Sequence, residues 1–218
     1  MKPLRLAALG LVAAAAPAAA QDRLTARVTV AVLEHRALAS PSVGVERSNG
    51  ALLGGALLYQ ASTWLTVELE TWMAALRGRS EGAIDHDVAQ VSLNAGIPAA
   101  TWLIVDGGVR LRAYSSPVAR QRWTMLRVGA EARLEFLGGS VAGIARLHYL
   151  PSVTVRGLGA PDVAVAAAAG MDYRLGPTTL RVLYDLERVD FPERNGTQRL
   201  EQLSGLSLTL GMALGRSP

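Results

Sequence analysis

Asp85-His86-Asp87 is the densest group of potentially reactive side chains in this 218-residue sequence. Two carboxylates at spacing two beside an imidazole could polarise a water molecule or gather at a cation. His148, followed by Tyr149 and Ser152, is a second candidate, a base close to a hydroxyl nucleophile. The third histidine is His35, and there is no cysteine. Thiolate catalysis, disulfides and cysteine-ligated metals are therefore excluded. Each candidate also has a plain structural reading: Asp85–Asp87 as a solvated loop, His148 as filler at a strand end. The sequence names Asp85, His86, Asp87 and His148 but assigns no catalytic residue, no metal site and no cofactor.

The elements that would position these residues are strands. Arg122–Leu137 shows this best. Leu126, Val128, Ala130, Ala132, Leu134 and Phe136 alternate with Arg127, Glu131, Arg133 and Glu135. Wound as a helix, that segment would spread charge around its circumference; only a period of two separates the classes. Similar segments are predicted near 24–34, 50–60, 63–76, 85–97, 101–114, 140–149, 162–174, 178–189 and 200–214. The second is the most blurred, because Leu52-Leu53 and Leu57-Leu58 break the alternation. Short connections are read at 61–62, 98–100, 138–139 and 176–177. Longer polar ones are read at 35–49, 77–84, 115–121, 150–161 and 190–199.

Ten strands joined by alternating short and long connections predict an all-β fold, a closed antiparallel transmembrane β-barrel. Ten fits the spacing better than eight or twelve. One face would meet lipid, through residues such as Val128, Leu134, Leu206, Leu208 and Leu210. The other would line the lumen with Arg27, Glu68, Glu70, Asp106, Arg110, Arg112, Arg127, Glu131, Arg133, Glu135, Arg146, Asp172, Arg174, Arg181, Asp185 and Glu187. Arg110 and Arg112 are expected beside Glu131 and Glu135 of the next strand. Both signs are nearly balanced, so the expectation is a polar plug more than a sieve for one ion sign. Trp64, Trp102, Phe136 and Tyr173 near the short turns, and Trp72, Tyr114, Trp123 and Tyr149 near the long loops, suggest two interfacial aromatic belts.

Lys2 and Arg5 precede an apolar run from Leu6 to Ala16, and Ala18-Ala19-Ala20 supplies an A-x-A site before Gln21. Residues 1–20 read as a cleaved signal peptide and 21–218 as one barrel domain. Mean hydropathy is +0.23, yet no run of 18 apolar residues occurs, so no spanning helix is predicted. The formal charge of +4 includes Lys2 and Arg5. Every other base is arginine, dispersed among carboxylates rather than clustered on one face, which argues against a nucleic-acid partner.

By these features the chain resembles the general class of small bacterial outer-membrane β-barrel proteins. The resemblance covers nearly all of 21–218 and rests on pattern. It implies residence in the outer membrane, contact with outer-membrane lipid, and handling by the barrel-assembly machinery. The apolar spacing Leu210, Met212, Leu214 resembles the last strand of that class, without its terminal aromatic residue. Asp85-His86-Asp87 resembles half the catalytic set of the omptin proteases, ten-stranded barrels that pair an Asp-x-Asp with an Asp-x-His. The second half is absent, since no histidine here follows an aspartate at spacing two. The expected role is structural, binding or narrow transport without evident catalysis. The alternatives are a barrel enzyme acting on lipid or peptide at the rim, and a soluble secreted β-sandwich.

Overall fold

The computed structural model describes residues 24–40, 44–156, 158–194 and 196–214; the segment read as a signal peptide lies outside them. Ten strands follow one another: β1 Leu24–Ser40, β2 Gly44–Ser62, β3 Leu65–Gly78, β4 His86–Ala100 and β5 Leu103–Ser115, then β6 Arg120–Phe136, β7 Val141–Val155, β8 Val163–Leu175, β9 Thr178–Asp190 and β10 Gln198–Ala213. Each pairs antiparallel with the next, and β10 pairs with β1 from Thr25↔Ala213 to Ser40↔Gln198, closing the sheet into a barrel. Closure leaves no unpaired edge, which lipid could not satisfy.

Four tight turns and both described chain ends gather at one end of the barrel, here the turn end. At one turn Leu137, Gly138 and Gly139 all take left-handed backbone, with φ of 49°, 66° and 83°. Two of those positions carry glycine, which meets no Cβ penalty there. The opposite, loop end differs from expectation. The segment 35–49 is not a long loop: β1 and β2 continue through it, and only residues 41–43 separate them. Likewise 150–155 extends β7. A bulge lies there, as Leu126 pairs with Ser152 but Val128 with Tyr149. Pro151, which has no amide to donate to the ladder, sits in it. Inward residues change from even numbers (Ala142, Ile144, His148, Leu150) to odd (Val153, Val155) across it.

The outer surface has a sharp zoning. Near the turn end and the middle it is apolar, with Val28, Val30, Leu93, Val109, Val128, Leu134, Leu147, Leu206, Leu208 and Leu210 all exposed. Towards the loop end the same outward parity carries Glu34, Arg36, Arg77, Asp87, Arg122 and Arg188. Trp64, Trp102, Phe136 and Tyr173 are exposed beside the tight turns. The second aromatic belt does not form as expected. Trp72 and Trp123 are buried inside the barrel and Tyr114 packs against both inner clusters, leaving Tyr149 outward.

Inside, the loop half is an apolar core. One cluster unites Trp123, Met125, Val153, Val155, Val189 and Phe191. Another unites Leu33, Leu52, Trp72, Leu76 and Val88. The turn half and the middle hold most of the inward charges, and Glu201 and Arg199 stand with His35 at the loop-end mouth.

Candidate functional site

Period two on every strand delivers the charged residues to the lumen, and closure decides which of them meet. Arg27 on β1 reaches Glu68 on β3 (2.6 Å). Arg146 on β7 donates to Glu131 on β6 (2.6 Å). Asp172 on β8 accepts from Arg181 through both oxygens (2.6 and 2.8 Å) and from Arg133 (2.5 Å). Asp106 on β5 accepts from Arg127 (3.1 Å) and faces His148 Nε2 at 2.9 Å. Glu135 and Arg174 stand 3.7 Å apart at the half-exposed turn-end rim. Asp185 accepts a long hydrogen bond from Ser207 (3.4 Å). Among the described residues Glu70 has neither a hydrogen bond nor an ion pair; it lines the same cavity as Arg110, Arg127 and Arg146.

The central contact spans the bore. Glu187 on β9 accepts from Arg112 Nη1 (2.5 Å) and Nη2 (3.1 Å), and also from Arg110, both on β5. Three strands separate β5 from β9 on one side of the ring and five on the other, so this is a bridge through the lumen. Arg112 is fixed further by Gln90 (2.9 Å) and by the Trp72 ring, 5.7 Å from its guanidinium carbon. A planar fork held at several donors is well suited to such a brace. The expected neighbours were different. Arg110 and Arg112 lie opposite Met125 and Trp123 in the β5–β6 register, while Glu131 lies opposite Ile104. Glu131 serves Arg146 instead, with Arg181 at 3.8 Å. A cavity of about 180 Å³ remains beside the bridge, between these arginines and a wall of small residues that includes Gly54, Ala56 and Gly205.

The candidate chemical residues are scattered. Asp85 clasps its own loop, accepting from the Gly78 amide (3.0 Å) and Arg77 (2.8 Å). The Gly78 amide, with Arg77, holds its carboxyl below the ordinary aspartate value. Asp87 is exposed on the outward parity, opposite Ala75 and Ser115. His86 alone of the three lies on the inward parity. His148 is buried against Asp106, whereas Ser152 is exposed beyond the bulge, so that base and that hydroxyl lie on opposite faces of the wall. Further side chains shape the interior. Gln90 and Trp72 brace Arg112, and at the loop-end mouth His35 Nε2 contacts Glu201 Oε2 at 2.5 Å. The alternation puts Trp72 and Gln90 on the inward face without marking them as partners of Arg112; His35 lies in a segment read as loop.

A closed ten-stranded sheet, apolar outside and charged inside, is a β-barrel of the bacterial outer-membrane type. Known structures agree on the fold. The outer membrane protease OmpT from Escherichia coli superposes with a TM-score of 0.61 at 11% identity, over 88% of this chain and 97% of that one. The β domain of the Bordetella autotransporter BrkA superposes with a TM-score of 0.53 at 15% identity, over 88% and 100%. At such identities the likeness concerns the fold alone. No protein-family model matches the sequence, and no curated protein does.

Proposed function

We propose that this protein is an integral barrel of the bacterial outer membrane with a braced, non-conducting lumen, serving a structural or ligand-binding role. The observation that carries this reading is the Arg110/Arg112–Glu187 bridge across the bore, backed by the apolar packing of the loop half. Small barrels are filled by side chains, and wide aqueous channels need about 16 strands. The outward zoning supports the location: an apolar belt for lipid and a polar collar beyond it. In that setting the turn end faces the periplasm and the loop end the outside. Residues 1–20 serve as the export signal and the assembly machinery inserts the barrel.

Planar-bilayer recordings test the closed lumen. Purified protein is expected to give no stable conductance steps; a steady ion-selective current would replace the plug with a narrow pore. Export is tested by the mature N-terminus. Protein recovered from outer-membrane fractions should begin at Gln21 and show heat-modifiable migration. A retained Met1, or a soluble form that needs no amphiphile, would overturn the assignment.

A further inference from the structure

At the loop-end mouth, away from the lumen network, His35, His86, Tyr114 and Glu201 line a cavity of about 180 Å³. They come from β1, β4, β5 and β10, and three features set this group apart. First, His86 Nδ1 lies 3.1 Å from the Ile84 carbonyl, to which it can only donate. That assigns the lone pair to Nε2, which is buried and has no hydrogen-bond partner. A histidine anchored through one nitrogen to a backbone carbonyl, with the other bare, is arranged as metal-ligating histidines are.

Second, the spacing fits. Two imidazoles bound to one tetrahedral ion at about 2.05 Å per Zn–N bond place their ring centroids roughly 5 Å apart. His35 and His86 stand at 5.2 Å, edge to face. Third, a carboxylate is already in place. Glu201 Oε2 lies 2.5 Å from His35 Nε2, while its Oε1 accepts from Arg199 Nε at 2.8 Å, which fixes the carboxylate and leaves Oε2 turned to the histidine.

We propose that His35, His86 and Glu201 form a binding site for a divalent transition-metal ion of the zinc class, with a fourth position open to the cavity. As they stand, no three such side chains among the described residues enclose an ion. Ligand atoms on one tetrahedral zinc sit roughly 3.3 Å apart, so the ion enters by parting the His35–Glu201 pair by about an ångström and displacing the proton they share, which is released to solvent. Two imidazoles and one carboxylate suit zinc, copper or nickel better than magnesium or calcium. The Asp85 and Asp87 carboxylates, turned away, take no part. The site does not depend on whether the lumen conducts.

The test is a calorimetric titration of ZnCl₂ into tag-free, detergent-folded protein. One ion per barrel is expected, not displaced by excess MgCl₂. His86→Ala or Glu201→Gln should weaken binding by about tenfold or more, while Asp87→Asn should leave it unchanged. Heat-modifiable migration confirms that each variant is folded. Should a variant fail that check, the visible spectrum of Co²⁺ bound to the unaltered protein decides, since intense tetrahedral bands are expected. Absence of saturable Zn²⁺ binding, binding that survives both His35→Ala and His86→Ala, or an octahedral Co²⁺ spectrum would overturn the proposal.

Discussion

Glu187→Ala is expected to destabilise the folded barrel by about 3–5 kcal/mol, the usual cost of removing one partner from a buried ion pair. The effect is large because one carboxylate serves two guanidinium groups. Arg110 and Arg112 are 11% and 3% exposed at their side chains, so neither can turn to water for compensation. Arg112 keeps Gln90 and the Trp72 face, but those do not neutralise it. Glu187→Gln retains shape and one acceptor and should still lose most of that stability. Adding Arg112→Met to Glu187→Ala should recover part of it, since a buried pair replaced by apolar groups is often tolerated. Urea unfolding of vesicle-inserted protein, followed by tryptophan fluorescence, measures all three. A loss below about 1 kcal/mol for Glu187→Ala would mean that the bridge does not brace the bore.

The second large effect lies on the other side of the wall. Leu208 on β10 pairs laterally with Val30 and Val182, all facing outward. It sits near the middle of the apolar belt. Leu208→Arg should cost about 2–4 kcal/mol in a bilayer, the value for arginine at the midplane of a barrel. The native Arg36, outward on β1 but in the polar collar, bonds Glu34 at 2.7 Å and incurs no such cost. The same unfolding assay checks the difference. A near-neutral Leu208→Arg would show that hydrocarbon does not wet this face.

Where the outer face is apolar and the inner face charged, the sequence is legible. On β6 the lipid face is apolar and the lumen face charged, and the strand can be read from its alternation. Where the lumen is apolar too, the alternation fades. Leu52 points inward and Leu53 outward, so the doublet that blurred β2 is one residue of core and one of belt. Where the outer face turns polar as well, the signal vanishes. Residues 35–40 and 44–49 carry Glu46, Arg47 and Asn49 beside small residues, and they read as a loop although they are sheet. Two-residue periodicity thus reports solvent contrast across the wall rather than the strand itself.

The site was legible only to the level of its faces. Nearly every charge assigned to the lumen lies on the inward parity, yet which arginine meets which carboxylate follows from closure. Glu187 is distant from Arg110 in sequence and in sheet order, and only the ring brings them together. The aromatic residues carry a related lesson: Trp72 and Trp123 stand at the height where an interfacial belt is expected, yet both fill the interior.

The length of the hairpins has a further meaning for whatever approaches from outside in the proposed orientation. β2 has 19 residues, and about 9–11 suffice to cross the hydrocarbon. The surplus stands above the lipid as a stiff palisade instead of trailing loops. Arg36, Arg47, Arg77, Arg122 and Arg188 would all suit a trypsin-like protease, but each lies within paired strand. Cutting there requires the backbone first to detach from its neighbours. Those bonds are shielded, and a protease would have to enter at the exposed connections instead, at Arg79, Arg156 or Arg194.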